Sequence, residues 1–247
     1  PGSRADEEVR ELEGTYLNRL TQTVAATYRI PVCEAVLDGN TASGALVDYA
    51  RRARADLVIA STHEHGSWWR WISSGVARQL AHRLRASVLF IKPQLGSLPT
   101  GQSGFRRILV ALDGSSLAEA GLEQALALAS ADAVVTLVQV VSRSEPDAEQ
   151  RRSAAQSYLD SLAAGAKPLG CRWEGAVLEG GKPAQALVSY AEITGMDLIV
   201  LTTRDRVPLP RAIIGTVADH VLHRSSLPVL VCHTAGVPAQ AGSGEGS

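Results

Sequence analysis

The chain has 247 residues, 45% of them hydrophobic and only 4% aromatic, which is enough for one large domain or two ordinary ones rich in small and β-branched aliphatics. A formal net charge of −1 supplies no global field to recruit nucleic acid or an anionic membrane surface. No apolar run approaches the ~20 residues that span a bilayer and no signal-peptide pattern opens the chain, so a soluble, cytoplasmic protein is expected.

In chain order, RADEEVRELEGTYLNRLTQTVAATY places Val9, Leu12, Tyr16, Leu20 and Val24 at helical spacing, with acids in the first turns, and predicts a long amphipathic helix. IPVCEAVLDGN reads as a strand with a turn at Asp38-Gly39. TASGALVDYARRARA follows as a helix capped by Thr41 or Ser43, then DLVIAST as a strand, SGVARQLAHRLR as a helix and SVLFIKP as a strand. Gln94 to Gly104 is rich in Gly, Ser and Pro and reads as a linker. Beyond it, RRILVAL is a strand, DGSS a turn, LAEAGLEQALALASA a helix and VVTLVQVV a strand. QRRSAAQSYLDSLAAGA, CRWEGAVLE, PAQALVSYAEI, DLIVLTT, AIIGTVADHVLHR and PVLVCH then alternate helix and strand, and the tail AGVPAQAGSGEGS has the composition of disorder. Strands alternating with helices specify a parallel, doubly wound α/β sheet, because parallel neighbours need crossover connections.

The two halves repeat one another. EAVLDGNTASGALVDYARRARADLVIAST aligns without a gap on GAVLEGGKPAQALVSYAEITGMDLIVLTT. Ala35 matches Ala176, Tyr49 matches Tyr190, Asp56 matches Asp197, His82 matches His223 and Val88 matches Val229, all at an offset of 141 residues. A fixed offset held over about sixty residues argues for two copies of one domain. The expected division is 1–93 for a first copy, 94–104 for the linker, 105–234 for a second copy and 235–247 for the tail. The first copy has no counterpart of Arg106 to Val141, two strands and a helix, so the sequence is expected to be an incomplete view of a longer protein or a fragment.

The segments ILVALDGS, AVLEGGKPAQALVSYA, DLIVLTT and IIGTVADHVLHRSSLPVLV together resemble the universal stress protein family, here as a tandem pair. The resemblance implies two five-stranded parallel sheets in the order 3-2-1-4-5 of the adenine nucleotide alpha hydrolase-like kind. The first sheet would lack its first two strands. It also implies pairing of two domains, as a homodimer or within one chain, and ATP as the ligand of nucleotide-binding members. An Asp ending the first strand, matched by Asp113, serves that ligand. So does a phosphate loop of Gly, two residues, Gly, nine residues, then Gly followed by Ser or Thr. Gly215 and Thr216 match its end, and with Asp113, Gly114 and Val138 they form the candidate nucleotide-binding set.

Counting back from Gly215 puts Thr202 and Asp205 where the two glycines would stand; in the first copy Ser61 and Glu64 take those places, and Ser74-Gly75 replaces the closing pair. A glycine there lets backbone N–H groups approach phosphate without an intervening Cβ. An acid instead repels it, by ~3 kcal/mol per phosphate charge at about 5 Å and an effective dielectric near 20. Arg204 and Arg206 either offset that repulsion or pair with Asp205. Asp113 reads equally as a turn residue, since Asp-Gly-Ser after a strand is turn and cap chemistry whatever the ligand. Thr216 likewise reads as an ordinary helix-start hydroxyl.

Elsewhere, HEHGSWWRW carries Trp68, Trp69 and Trp71, read as packing against the other copy or as a partner surface. His63 and His65 lack a third metal ligand, and Cys33, Cys171 and Cys232 lack metal-ligand spacing and read as small buried hydrophobes in a reducing compartment. His220 and His223 read as surface residues, and none of the common catalytic motifs occurs. The expected function is therefore a non-catalytic tandem stress-response protein acting by dimerisation or through a protein partner the sequence does not name, with degraded nucleotide sites and no required cofactor. An ATP-binding sensor using the second copy alone is the alternative; a nucleotide-dependent α/β enzyme would need a catalytic constellation that the sequence does not display.

Overall fold

A computed structural model of the chain describes residues 4–61, 76–84, 86–91, 104–144, 147–166, 170–203 and 216–233. The chain divides into two compact units, Pro1–Tyr49 and Ala50–Ser247. Linker residues 94–103, the tail, the tryptophan cluster, His63, His65, Glu64, Arg204, Asp205, Arg206 and Gly215 lie outside the described residues.

In the first unit the long predicted helix is present as α1 (Arg4–Tyr28). Leu12, Tyr16 and Leu20 on it are exposed. The strand expected from IPVCEAVLDGN does not form, and residues 29–39 carry no regular structure. Its repeat-equivalent in the second copy draws all its ladder bonds from a single neighbouring strand. The described first copy offers no counterpart of that neighbour, and a strand without a ladder leaves its backbone to solvent. Helix α2 (Ala42–Arg52) starts as expected, with the Thr41 hydroxyl accepting from the Gly44 N–H at 3.2 Å.

The second unit holds β1 (Leu57–Ser61), α3 (Val76–Arg83), β2 (Ser87–Ile91), β3 (Phe105–Leu112), α4 (Ser116–Leu128), β4 (Ala129–Val141), α5 (Ala148–Gly165), β5 (Arg172–Glu179), α6 (Pro183–Ile193), β6 (Leu198–Thr203), α7 (Thr216–Arg224) and β7 (Val229–His233). The α/β class and the second copy's order are as expected: β5-β4-β3-β6-β7 is 3-2-1-4-5, all parallel. The two expected sheets are, however, one. Strands β1 and β2 of the first copy continue it into a seven-stranded sheet, β1-β2-β7-β6-β3-β4-β5.

The join is antiparallel, with Val88 opposite Val231, Leu89 opposite Leu230 and Phe90 opposite Val229. Leu89 and Leu230 are repeat-equivalents at the offset of 141, so the junction is self-complementary and a local pseudo-twofold passes between them. Both are buried, and fusing the two edges removes two open ladders at once. The far side of β1 has no neighbour among the described residues, and Ile59 there is 61% exposed where its equivalent Val200 is fully buried.

Alternation along each strand gives the sheet two apolar faces. Ile108, Val110, Val135, Leu137, Leu198 and Val200 form one core with Ala118 and Ala125 of α4 and Leu159 of α5. Leu109, Val138, Ile199, Leu201 and Val231 bury the opposite face, which α6 and α7 cover with Leu187, Val188, Val221 and Leu222. Asp197, just before β6, fixes the start of β3. Its carboxylate accepts from the N–H groups of Arg106 (2.8 Å) and Arg107 (3.0 Å), while its own N–H donates to the Arg107 carbonyl at 2.8 Å.

Candidate functional site

Strand order reverses between β3 and β6, and the carboxyl ends of strands at such a switch point leave a crevice. Here it is a cavity of about 270 Å³. Ala111, Leu112 and Asp113 line it from β3 and the turn after it, Val138, Gln139 and Val140 from β4, Leu201 and Thr202 from β6, with Pro183 and Leu187 of α6 and Val217 and Ala218 of α7 closing the sides.

Of the candidate set, the fold brings Asp113 and Val138 together in this cavity. Asp113 is also the turn residue its sequence allows. Its Oδ1 accepts from the Ser115 N–H at 3.0 Å and from the Ser115 hydroxyl at 2.5 Å, and the Ser115 hydroxyl in turn accepts from the Ala118 N–H at 3.3 Å, capping α4. Asp113 thus serves as the turn residue and also lines the crevice. Gly114 does not line the cavity. It sits in the turn at φ +81°, where a Cβ would be strained. Thr216 opens α7 and lines a neighbouring cleft.

Two residues lining the cavity, Thr202 and Gln139, were not singled out for these roles by the sequence. Thr202, counted as a loop position, lies inside β6, and its hydroxyl donates to the Ala118 carbonyl at 3.3 Å. The β-branched side chain therefore occupies the position where nucleotide-binding members would carry a glycine. Gln139 lines the cavity with an Oε1 that is buried and has no hydrogen-bond partner among the described residues. A buried acceptor without a donor costs free energy, so this atom suits a ligand that brings an N–H or O–H. Tyr158 of α5 donates to Glu119 Oε1 of α4 at 3.0 Å; desolvation, then that bond, push its phenol well above the usual tyrosine range.

The neighbouring cleft, about 380 Å³, lies between the start of α6 and the length of α7 and shares Pro183 and Val217 with the switch-point cavity. Lys182, His220 and Arg224 stand on its walls. No group of three or more His, Cys, Asp or Glu residues that could hold a metal ion occurs among the described residues. No described helix is long and apolar enough to cross a membrane.

The sequence model of the universal stress protein family matches residues 104–233, more than half of the chain. The chain belongs to this family. A universal stress protein of Methanocaldococcus jannaschii is 29% identical over 143 residues, covering 53% of this chain and 84% of its own length. One of Synechocystis is 26% identical over 156 residues, covering 52% and 97%. Among solved structures, a universal stress protein of Archaeoglobus fulgidus matches with a TM-score of 0.70 at 20% identity, across 94% of this chain and 80% of that one. A functionally unknown protein of Pseudomonas aeruginosa matches with a TM-score of 0.65 at 18% identity, across 89% and 77%. These two likenesses show the fold. Family membership gives this universal stress protein a stress-response role.

Proposed function

We propose that this universal stress protein works by binding and not by chemistry: its two copies pair within the chain, it acts through a protein partner, and its nucleotide sites have lost their grip on phosphate. Thr202 carries this reading. Its side chain is held by the Ala118 carbonyl at 3.3 Å where a phosphate cradle calls for a bare backbone. The self-complementary register about Leu89 and Leu230 supports the pairing. Equilibrium titration with a fluorescent ATP analogue tests the reading. The expected dissociation constant is about 1 mM or weaker, with no turnover of ATP. Micromolar affinity that disappears in Asp113→Ala would overturn it.

A second reading, an ATP-binding sensor using only the second copy, is favoured by the switch-point cavity itself, with Asp113 at its mouth and the unsatisfied Gln139 Oε1 on its wall. On that reading Gln139→Leu weakens nucleotide binding several-fold and Thr202→Gly strengthens it. If the leading reading holds, Gln139→Leu leaves the weak nucleotide affinity unchanged.

A further inference from the structure

We infer that an arginine patch on the first copy, formed by Arg51, Arg52, Arg54 and Arg83, is a docking surface for an acidic segment of a partner protein. Arg51 and Arg52 end α2, and Arg54 follows in the turn that leads to β1. Arg83 ends α3, and the Arg51 guanidinium donates to its carbonyl at 2.7 Å, which joins the two helix ends. All four residues are exposed, and no ion pair links any of them to a carboxylate among the described residues. Arginines in a last turn complement the helix dipole, which accounts for Arg51, Arg52 and Arg83 but not for Arg54. Arg54 sits at φ +51°, where its repeat-equivalent is Gly195 at φ +65°. Glycine enters that left-handed region freely and arginine only at a cost, so the turn carries a cation at the expense of stability. The turn is closed by the Arg54 N–H donating to the Arg51 carbonyl at 3.2 Å and the Ala55 N–H to the Ala50 carbonyl at 3.0 Å.

The patch belongs to the first copy alone. At the offset of 141, Arg51, Arg52 and Arg54 correspond to Glu192, Ile193 and Gly195, and only Arg83 has a basic equivalent, Arg224. These equivalents are exposed as well, in the copy that has its full set of strands. The patch is therefore an outer surface of the fold and not one opened by the strands that the described first copy lacks. The acids nearest to it in sequence are Asp48 and Asp56, two against four arginines. With a net charge of −1 the chain has no extended positive field of the kind that recruits nucleic acid or an anionic membrane. A compact group of planar guanidinium forks instead matches a few carboxylates spaced along a peptide, each of which a fork takes through two bonds. The inference rests on the reading that the protein acts through a partner, and gives that partner its chemistry.

Fluorescence anisotropy of a labelled oligo-glutamate peptide titrated with the full chain tests the surface, with a single-stranded oligonucleotide of equal charge as the parallel arm. The peptide is expected to bind, and to bind more weakly as salt rises. Arg52→Gln and Arg54→Gly each weaken it about five-fold and the double variant abolishes it, whereas Arg224→Gln, at the equivalent place on the second copy, leaves it unchanged. Arg54→Gly restores the residue that the second copy uses, so the turn survives it, and unaltered circular dichroism checks that the variants fold. No peptide binding, binding that the double variant retains, or an equal loss in Arg224→Gln overturns the surface. So does an oligonucleotide that binds more tightly than the peptide through the same arginines. Self-association in sedimentation that the double variant abolishes overturns it too, since a second copy of the chain then fills the patch. The ATP titration, run on the same samples, keeps the two readings apart: a failed peptide with ATP still weak strikes the patch alone, and micromolar ATP strikes the leading function while the peptide result stands.

Discussion

Gly121 lies in α4 where that helix crosses β6, and replacing it with alanine probes the packing that shapes the switch-point cavity. A Cβ built there meets Thr202 Oγ1 at 2.8 Å and Val200 Cγ1 at 3.5 Å. The first distance is too short to persist, and Thr202 cannot yield cheaply. Its χ1 is stiff, and its hydroxyl is held on the Ala118 carbonyl. Alanine in a helix interior gains about 1 kcal/mol over glycine. Overpacking costs ~1–3 kcal/mol and the lost hydrogen bond ~1 kcal/mol. The collision wins, and Gly121→Ala is expected to destabilise the protein by about 1–3 kcal/mol, in contrast to the usual sign for an exposed helix. Urea unfolding of the wild type, Gly121→Ala, Thr202→Ala and the double variant completes a cycle. With the threonine hydroxyl removed, the added methyl group is expected to be neutral or to stabilise by up to ~1 kcal/mol. Gly121→Ala that stabilises the wild type, or costs the same in both backgrounds, would refute the close approach as the cause.

Leu230→Ala empties a fully buried position at the centre of the β2–β7 junction and is expected to cost ~2–5 kcal/mol in chemical denaturation; a loss below about 0.5 kcal/mol would mean that the junction does not carry the sheet. Asp197→Ala leaves the Arg106 and Arg107 N–H groups without their carboxylate and is expected to cost ~2–4 kcal/mol, with Asp197→Asn recovering part of it, measured by the same unfolding assay. Burial pushes the Cys232 thiol up to about 12, and Tyr158 is raised as well. The folded state keeps both protons after the unfolded chain has lost them, so their contribution is complete below about pH 8.5 and declines as pH rises above it. The urea midpoint is expected to fall between pH 8 and pH 10.5, and to fall less in Cys232→Ala and Tyr158→Phe.

The elements whose signals are local were the legible ones. Helix α6 spans Pro183–Ile193, the predicted segment residue for residue, because proline opens it and Gly195, at φ +65°, follows the last turn. The order 3-2-1-4-5 came with the family resemblance. Residues 31–38 failed for the opposite reason: their alternation is that of a strand, but a strand exists only with a ladder partner, which no property of those residues reveals. The turn at Asp113 was readable because Asp-Gly-Ser after a strand is turn and cap chemistry. Thr202 was counted into the loop because a strand's last residues look like the loop that follows them. Lys182 and Arg224 are 42 positions apart, and only the packing of α6 against α7 makes them neighbours. The one signal that could have flagged Lys182 was its contrast with Thr41 in the other copy. The acids Asp205 and Glu64 lie outside the described residues.

The pseudo-twofold between Leu89 and Leu230 has an evolutionary reading. In a dimer of identical chains every substitution at such an axis appears twice and must be accepted by its own mirror position. Here the two sides are separate codons. Phe90 faces Val229 while Val88 faces Val231, a large-against-small contact beside a small-against-small one, which identical subunits could not hold about one axis. Within one chain the two halves can differ, as Thr41 and Gln79 differ from their repeat-equivalents Lys182 and His220.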